Sequence, residues 1–131
     1  MDARNTQVTE FLHGPRQYVI PIFQRPYSWE RADCEKLLKD VISIAEDEKR
    51  PCHFIGSVIH LPMSRFGEAV SKSSVIDGQQ RLTTISLLLL ALADYSREYY
   101  EDQETYQKCE TNYEKIKNLY LVNQYAEDNL Y

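Results

Sequence analysis

The sequence predicts an α+β domain: a small mixed or antiparallel sheet packed with helices, followed by a helical C-terminal part. Three observations predict it. Residues 75–92 run from a β-branched pair, Val75-Ile76, through a polar Asp77-Gly78 turn into the apolar segment Leu82–Leu92, which is a strand–turn–helix junction. From Gln79 to Tyr131 there is neither glycine nor proline, so that stretch is expected to be nearly all helical. Two more β-type segments, near 17–22 and 53–61, precede the junction and complete a small sheet.

Each element follows from local chemistry. Thr6–His13 reads as a short helix with Thr6 as N-cap, ended by Gly14-Pro15. Gln17–Ile22 reads as a strand at an edge or an end, because Pro21 has no N–H for a ladder. Phe23–Trp29 is a loop dense in aromatics and punctuated by Pro26. A helix over 31–47 follows from Ala32, Leu37, Leu38, Val41, Ile42 and Ala45, which recur at three- and four-residue steps. His53–Leu61 reads as a strand stopped by Pro62. Its Gly56 and Ser57 are small enough for a ligand or backbone to approach closely. Ser64–Ser71 is expected to form a hairpin connection around Gly67, with Ser73–Ile76 as the returning strand.

The helical part divides in two. The segment from Gln80 to about Tyr100 is apolar around much of its circumference and is expected to be central and buried. The segment near 104–123 is amphipathic. Tyr99, Tyr106, Tyr113 and Tyr120 recur every seven residues, with Cys109 and Ile116 interleaved as in an a/d stripe. A packing face against another helix is the expectation; a tyrosine ladder for a cofactor is the alternative. Because Asn129-Leu130-Tyr131 ends without a cap or polar tail, a truncated C-terminus is expected, and a tyrosine face lacking its partner would favour a homodimer.

Composition narrows the classes. At 131 residues the chain is read as one domain, 1–131. The polar Met1–Glu10 is unlike a signal peptide, and the longest apolar run, Ile85–Ala93, is too short to cross a membrane. Cys34, Cys52 and Cys109 are odd in number and far apart, which suits reduced thiols and a cytoplasmic protein. His13, His53 and His60 have no metal-ligand spacing, so zinc is not expected, and His53 and His60 are read as structural rather than catalytic. Residues 1–90 hold eleven basic and eleven acidic side chains. Residues 91–131 hold four basic and nine acidic, which is the whole net charge of −5. No basic stripe for DNA is visible, so DNA is expected to be reached through a full-length assembly.

The chemistry concentrates at Asp77-Gly78-Gln79-Gln80-Arg81. A strand that turns directly into a helix presents free N–H groups and the positive end of the helix dipole, where an anion can sit. Arg81 would add a planar fork of donors suited to phosphate, and Asp77 a carboxylate that could hold Mg²⁺ beside it. Read from the residues alone, the segment also suits a turn and helix cap with Thr83 or Thr84 capping and no ligand.

The order and spacing of IPIFQRPYSWE at 20–30, HFIGSVIHL at 53–61 and DGQQR followed by LTT resemble the DGQQR-motif domains at the N-terminus of GmrSD-type modification-dependent restriction enzymes, over about residues 6–125. The resemblance implies a ParB/sulfiredoxin-like fold with a nucleotide-binding loop before a helix. The sulfiredoxin cysteine chemistry is excluded, since no cysteine lies between Cys52 and Cys109. Carried over by residue, Asp77, Gln80 and Arg81 would be catalytic, with Asp77 positioning metal or water. Gly78, Gln79, Gln80, Arg81 and Thr83 would hold the nucleotide. Gln24 and Arg25 would line the same pocket, with Tyr27 or Trp29 near the base.

The implied function is binding and hydrolysis of a nucleoside triphosphate with Mg²⁺, coupled to DNA cleavage by a separate HNH nuclease domain or subunit. This chain shows no His-Asn-His centre of its own. The alternative is a non-catalytic module that senses a nucleotide or modified DNA.

Overall fold

The structure, a computed structural model, describes residues 2–49, 52–100, 103–109 and 111–123. The fold is α+β. In chain order it comprises α1 (Val8–Leu12), β1 (Arg16–Val19), α2 (Arg31–Glu46), β2 (Ile59–Pro62), β3 (Ser71–Asp77), α3 (Gln79–Tyr99), α4 (Gln103–Lys108) and α5 (Tyr113–Ile116), the last continuing into a π-helical turn, Lys117–Leu121.

The sheet is mixed, in the order β1-β3-β2. Strand β3 is central. It pairs in parallel with β1, Arg16 opposite Ser71 and Val19 opposite Ser74, and antiparallel with β2, His60 opposite Val75 and Pro62 opposite Ser73. A bulge lies between Ile59 and His60. Along β3 the alternation of a strand puts Ser73 and Val75 inward, and Val75 is fully buried. One side of the sheet carries an aromatic cluster. Phe11 stacks on Tyr18, and His60 meets both rings edge-on. His60 packs between these rings, but its buried Nδ1 has no hydrogen-bond partner among the described residues, so it is not the satisfied structural histidine the sequence suggests.

Several expected boundaries shift for physical reasons. The first strand ends at Val19, before Pro21, and the chain then turns, with Gln24 N–H bonding to the Pro21 carbonyl. The expected strand at 53–61 begins only at Ile59, because Gly56 takes φ of +110° under the Arg81 guanidinium. His53 thus lies outside the strand. The first helix is capped by Gln7 rather than Thr6 and spans a single turn.

The expected helix at 104–123 is broken. Asn112 interrupts it by capping α5, its side-chain oxygen accepting from Lys115 N–H at 2.9 Å while its amide donates to the Tyr106 carbonyl at 3.1 Å. An asparagine that bonds backbone on both sides competes with continuation of the helix. The packing face is present nonetheless. Ile116 is buried, Arg97 of α3 lies 3.6 Å from the Tyr113 ring centroid, and Tyr113 N–H donates to the Tyr106 hydroxyl. Tyr99 is the exception, exposed and stacked on Tyr95. The terminal residues 124–131 lie outside the described residues.

Two helices are less covered than their patterns suggest. In α3, Leu82, Ile85 and Ala93 are buried but Leu87, Leu90 and Leu92 reach solvent. In α2, Leu37 is buried whereas Leu38, Val41 and Ile42 are each about two-fifths exposed.

Candidate functional site

The site is built where β3 meets α3. Gly78 caps α3 in the left-handed region, φ +93°, with no side-chain cap. A Cβ there would stand 3.0 Å from the Ser57 carbonyl oxygen and 3.0 Å from Val58 Cγ2. Glycine is thus needed both for the conformation and for the close approach of the 57–58 backbone. The N–H groups that open α3 have no partner within the helix. The first regular bond is Leu82 N–H to the Gly78 carbonyl.

The 20–30 segment lies directly on this first turn. Gln80 is buried and uses both ends of its amide on that loop: its oxygen accepts from Ser28 N–H at 2.8 Å, and its nitrogen donates to the Pro26 carbonyl at 3.1 Å. Gln79, also buried, donates to Gln24 Oε1 at 3.3 Å, and Gln24 in turn donates to the Ile76 carbonyl at 3.1 Å. The Tyr27 hydroxyl meets Thr84 Oγ1 at 2.9 Å, and Thr84 donates to the Gln80 carbonyl. Tyr27 also contacts Cys34 Sγ, and that hydrogen bond holds its phenol above the ordinary tyrosine value. The two glutamines and Thr84 zip the two motifs together. Gln79 and Gln80 thereby shape the cavity through their hold on the loop, in addition to lining it.

Two cavities flank this zip. The first, about 460 Å³, lies between the 20–27 segment and α3, and is lined by Gln24, Arg25, Tyr27, Gln79, Gln80 and Thr83 with an apolar rim of Ile20, Pro21, Ile22 and Pro26. Arg25 supplies its cation. The guanidinium makes no hydrogen bond or ion pair with any described residue, and the side chain is exposed. The volume lies within the range of small-molecule sites. The second cavity, about 270 Å³, is lined by Trp29, Asp33, Lys36, Leu37, Asp40, His53, Phe54, Ile55 and Arg81.

The expected site residues therefore divide. Gln24, Arg25, Gln79, Gln80 and Thr83 come together on the first cavity, as does Tyr27. Arg81 does not join them. Its guanidinium lies over Gly56, where a Cβ would be 2.6 Å from Cζ, and donates to the Ser57 carbonyl at 3.2 Å. Trp29 lines the second cavity with it. Asp77 is exposed at the end of β3 and lines neither cavity.

Among the described residues no group of three or more His, Cys, Asp or Glu could hold a metal ion. The grouping of Asp40, His53, Phe54 and Trp29 around Arg81 is the part that pattern reasoning missed. Its one sequence signal is Gly56, where the close approach turns out to be that of Arg81.

Among the described residues no helix is long and apolar enough to cross a membrane. Residues 8–130 match the family model described as GmrSD restriction endonuclease, N-terminal domain. No curated protein matches the chain.

Proposed function

Because the chain belongs to the family of GmrSD restriction endonuclease N-terminal domains, and so to a restriction system, we propose that it binds a nucleoside triphosphate in the Arg25 cavity and hydrolyses it to license DNA cleavage by a separate HNH nuclease part. The observation that carries this reading is the placement of the Arg25 guanidinium, which pairs with no described residue, beside the first turn of α3 in a cavity of about 460 Å³. Helix N–H groups and a cation are the two elements that phosphate recognition needs. Gln24, Gln79 and Thr83 add polar contacts around the same volume. Mg²⁺ would arrive with the triphosphate, with Asp77 as its protein ligand, and would supply charge neutralisation on the phosphates. Arg25 would orient and neutralise the phosphates, and the Gln80 zip would hold the loop that bears Arg25 in place.

One observation favours the second reading, a module that binds nucleotide or modified DNA without turnover. Asp77 and Arg81, which transfer chemistry would require, do not line the Arg25 cavity. In that reading the chain senses and another part of the assembly acts.

Calorimetric titration of ATP, GTP, CTP and UTP, with and without magnesium, tests the site. Saturable binding is expected in wild type, weakened about tenfold or more in Arg25→Ala with the fold intact. Binding unchanged in that variant would refute the assignment. Steady-state phosphate release then separates the two readings: turnover lost in Asp77→Ala supports hydrolysis, and saturable binding without turnover supports sensing.

A further inference from the structure

The second cavity shares no lining residue with the Arg25 cavity. From its walls we infer that it is a separate binding site for a single nucleobase, one whose edge carries both an amino group and a carbonyl oxygen, as guanine and cytosine do.

Size is the first argument. At about 270 Å³ the cavity falls below the span of drug-sized ligand sites, so it suits one ring system rather than a whole nucleoside triphosphate. The walls are the second. Trp29 and Phe54 both face the cavity, and Phe54 is 79% exposed, so burial in the core does not account for it. Exposed aromatic faces beside a cleft are what stacking on a base uses.

The polar edge is the third argument. Asp33 and Asp40 are acceptors held in place from behind. Asp33 Oδ2 takes the Glu30 N–H at 3.0 Å in the cap of α2, and Asp40 Oδ2 lies 3.3 Å from His53 Nε2. Among the described residues each carboxylate's other oxygen has no partner and can accept from an exocyclic amine. Arg81 is the matching donor. Flat against Gly56 and tied to the Ser57 carbonyl by one N–H, it has further donors in its fork and forms no ion pair with either aspartate. Arginine reading a base carbonyl and a carboxylate accepting from a base amine are the matching pairings. Adenine offers no carbonyl and thymine no amino group, so both should bind less well. The base could be carried by a free mononucleotide or by a DNA strand from which it is unstacked, and its chemistry is the same in either case.

Trp29 is the chain's one tryptophan, so its fluorescence reports on this cavity directly. The full chain would be titrated with GMP, CMP, AMP and TMP and with a short single-stranded oligonucleotide of mixed sequence. Saturable quenching is expected with GMP or CMP at concentrations about tenfold lower than with AMP or TMP. It should be lost in Phe54→Ala and weakened in Asp40→Asn, and retained in Arg25→Ala. A tighter response to the oligonucleotide assigns the base to a strand, and an equal response assigns it to a free nucleotide; both support the site. Absence of saturable quenching, indifference to base, or quenching untouched in both Phe54→Ala and Asp40→Asn would overturn it. Quenching lost only in Arg25→Ala would also overturn it, by moving the response to the first cavity. Failure here leaves the triphosphate reading standing, since that reading is tested by calorimetry at Arg25.

Discussion

Gly78 and Gly56 hold the site in shape from opposite sides of one contact. Gly78 presses against the backbone at 57–58, and Gly56 makes room for Arg81. A methyl group at 78 meets main-chain atoms that cannot swing away, at a left-handed φ that L-residues adopt at a cost of about 1–2 kcal/mol. Gly78→Ala should therefore destabilise the domain by roughly 1–3 kcal/mol in urea unfolding. A loss under a few tenths would show that the turn relaxes freely. Gln80 is the other decisive residue. Gln80→Ala removes both amide bonds to Ser28 N–H and the Pro26 carbonyl, leaving those groups to be re-solvated, at a cost of about 1–3 kcal/mol. The same variant should loosen the loop that carries Arg25 and raise the Kd for triphosphate, which calorimetry would read; an unchanged unfolding midpoint would deny the zip its structural part. The sequence made the meeting of Gln24, Arg25 and the DGQQR turn legible. It did not make the consumption of Gln79 and Gln80 by the facing loop legible, because an amide next to a phosphate and an amide next to a backbone carbonyl look alike in one dimension.

At the level of elements, α3 was readable to within about one residue at each end and β3 to within two, since a β-branched pair, Asp-Gly and a long apolar run each signal independently. The helix after them was not. Its seven-residue tyrosine repeat favours continuity, and the buried Asn112 overrides it by capping α5 and holding the Tyr106 carbonyl. Asn112→Ala should lose a cap and an interhelical bond together, about 1–2 kcal/mol in thermal or urea unfolding, whereas Asn112→Asp, which keeps the cap oxygen, should recover part of that. Equal losses in the two variants would place the effect elsewhere. The shortened β2 has a comparable origin: periodicity extends it back to His53, but the demand of Arg81 for space at Gly56 sets its start.

The whole molecule is a three-stranded sheet with α3 anchored by α5 and the π-helical turn, while α2 keeps Leu38, Val41 and Ile42 partly open to water. Hydropathy marked that face of α2 as apolar, but only three dimensions reveal that nothing described here covers it. Val41→Gln should therefore change the unfolding free energy of this chain by less than about 0.5 kcal/mol, while Leu37→Ala, one turn away and buried, should cost about 2 kcal/mol or more. A large loss at Val41 would mean that the face is occupied in solution.

The parallel pairing of β1 with β3 also has a consequence in time. The contacts that assemble the Arg25 cavity join residues 52 to 57 positions apart, Gln24 with Ile76, Ser28 with Gln80 and Tyr27 with Thr84. None can form until a loop of that length has closed, and closing it must precede the reward from its contacts. On the ribosome the loop bearing Arg25 would emerge well before its counterpart, so the cavity could not appear until residue 84 had emerged and the nascent chain would pass through a stage with strands begun and no pocket to fill.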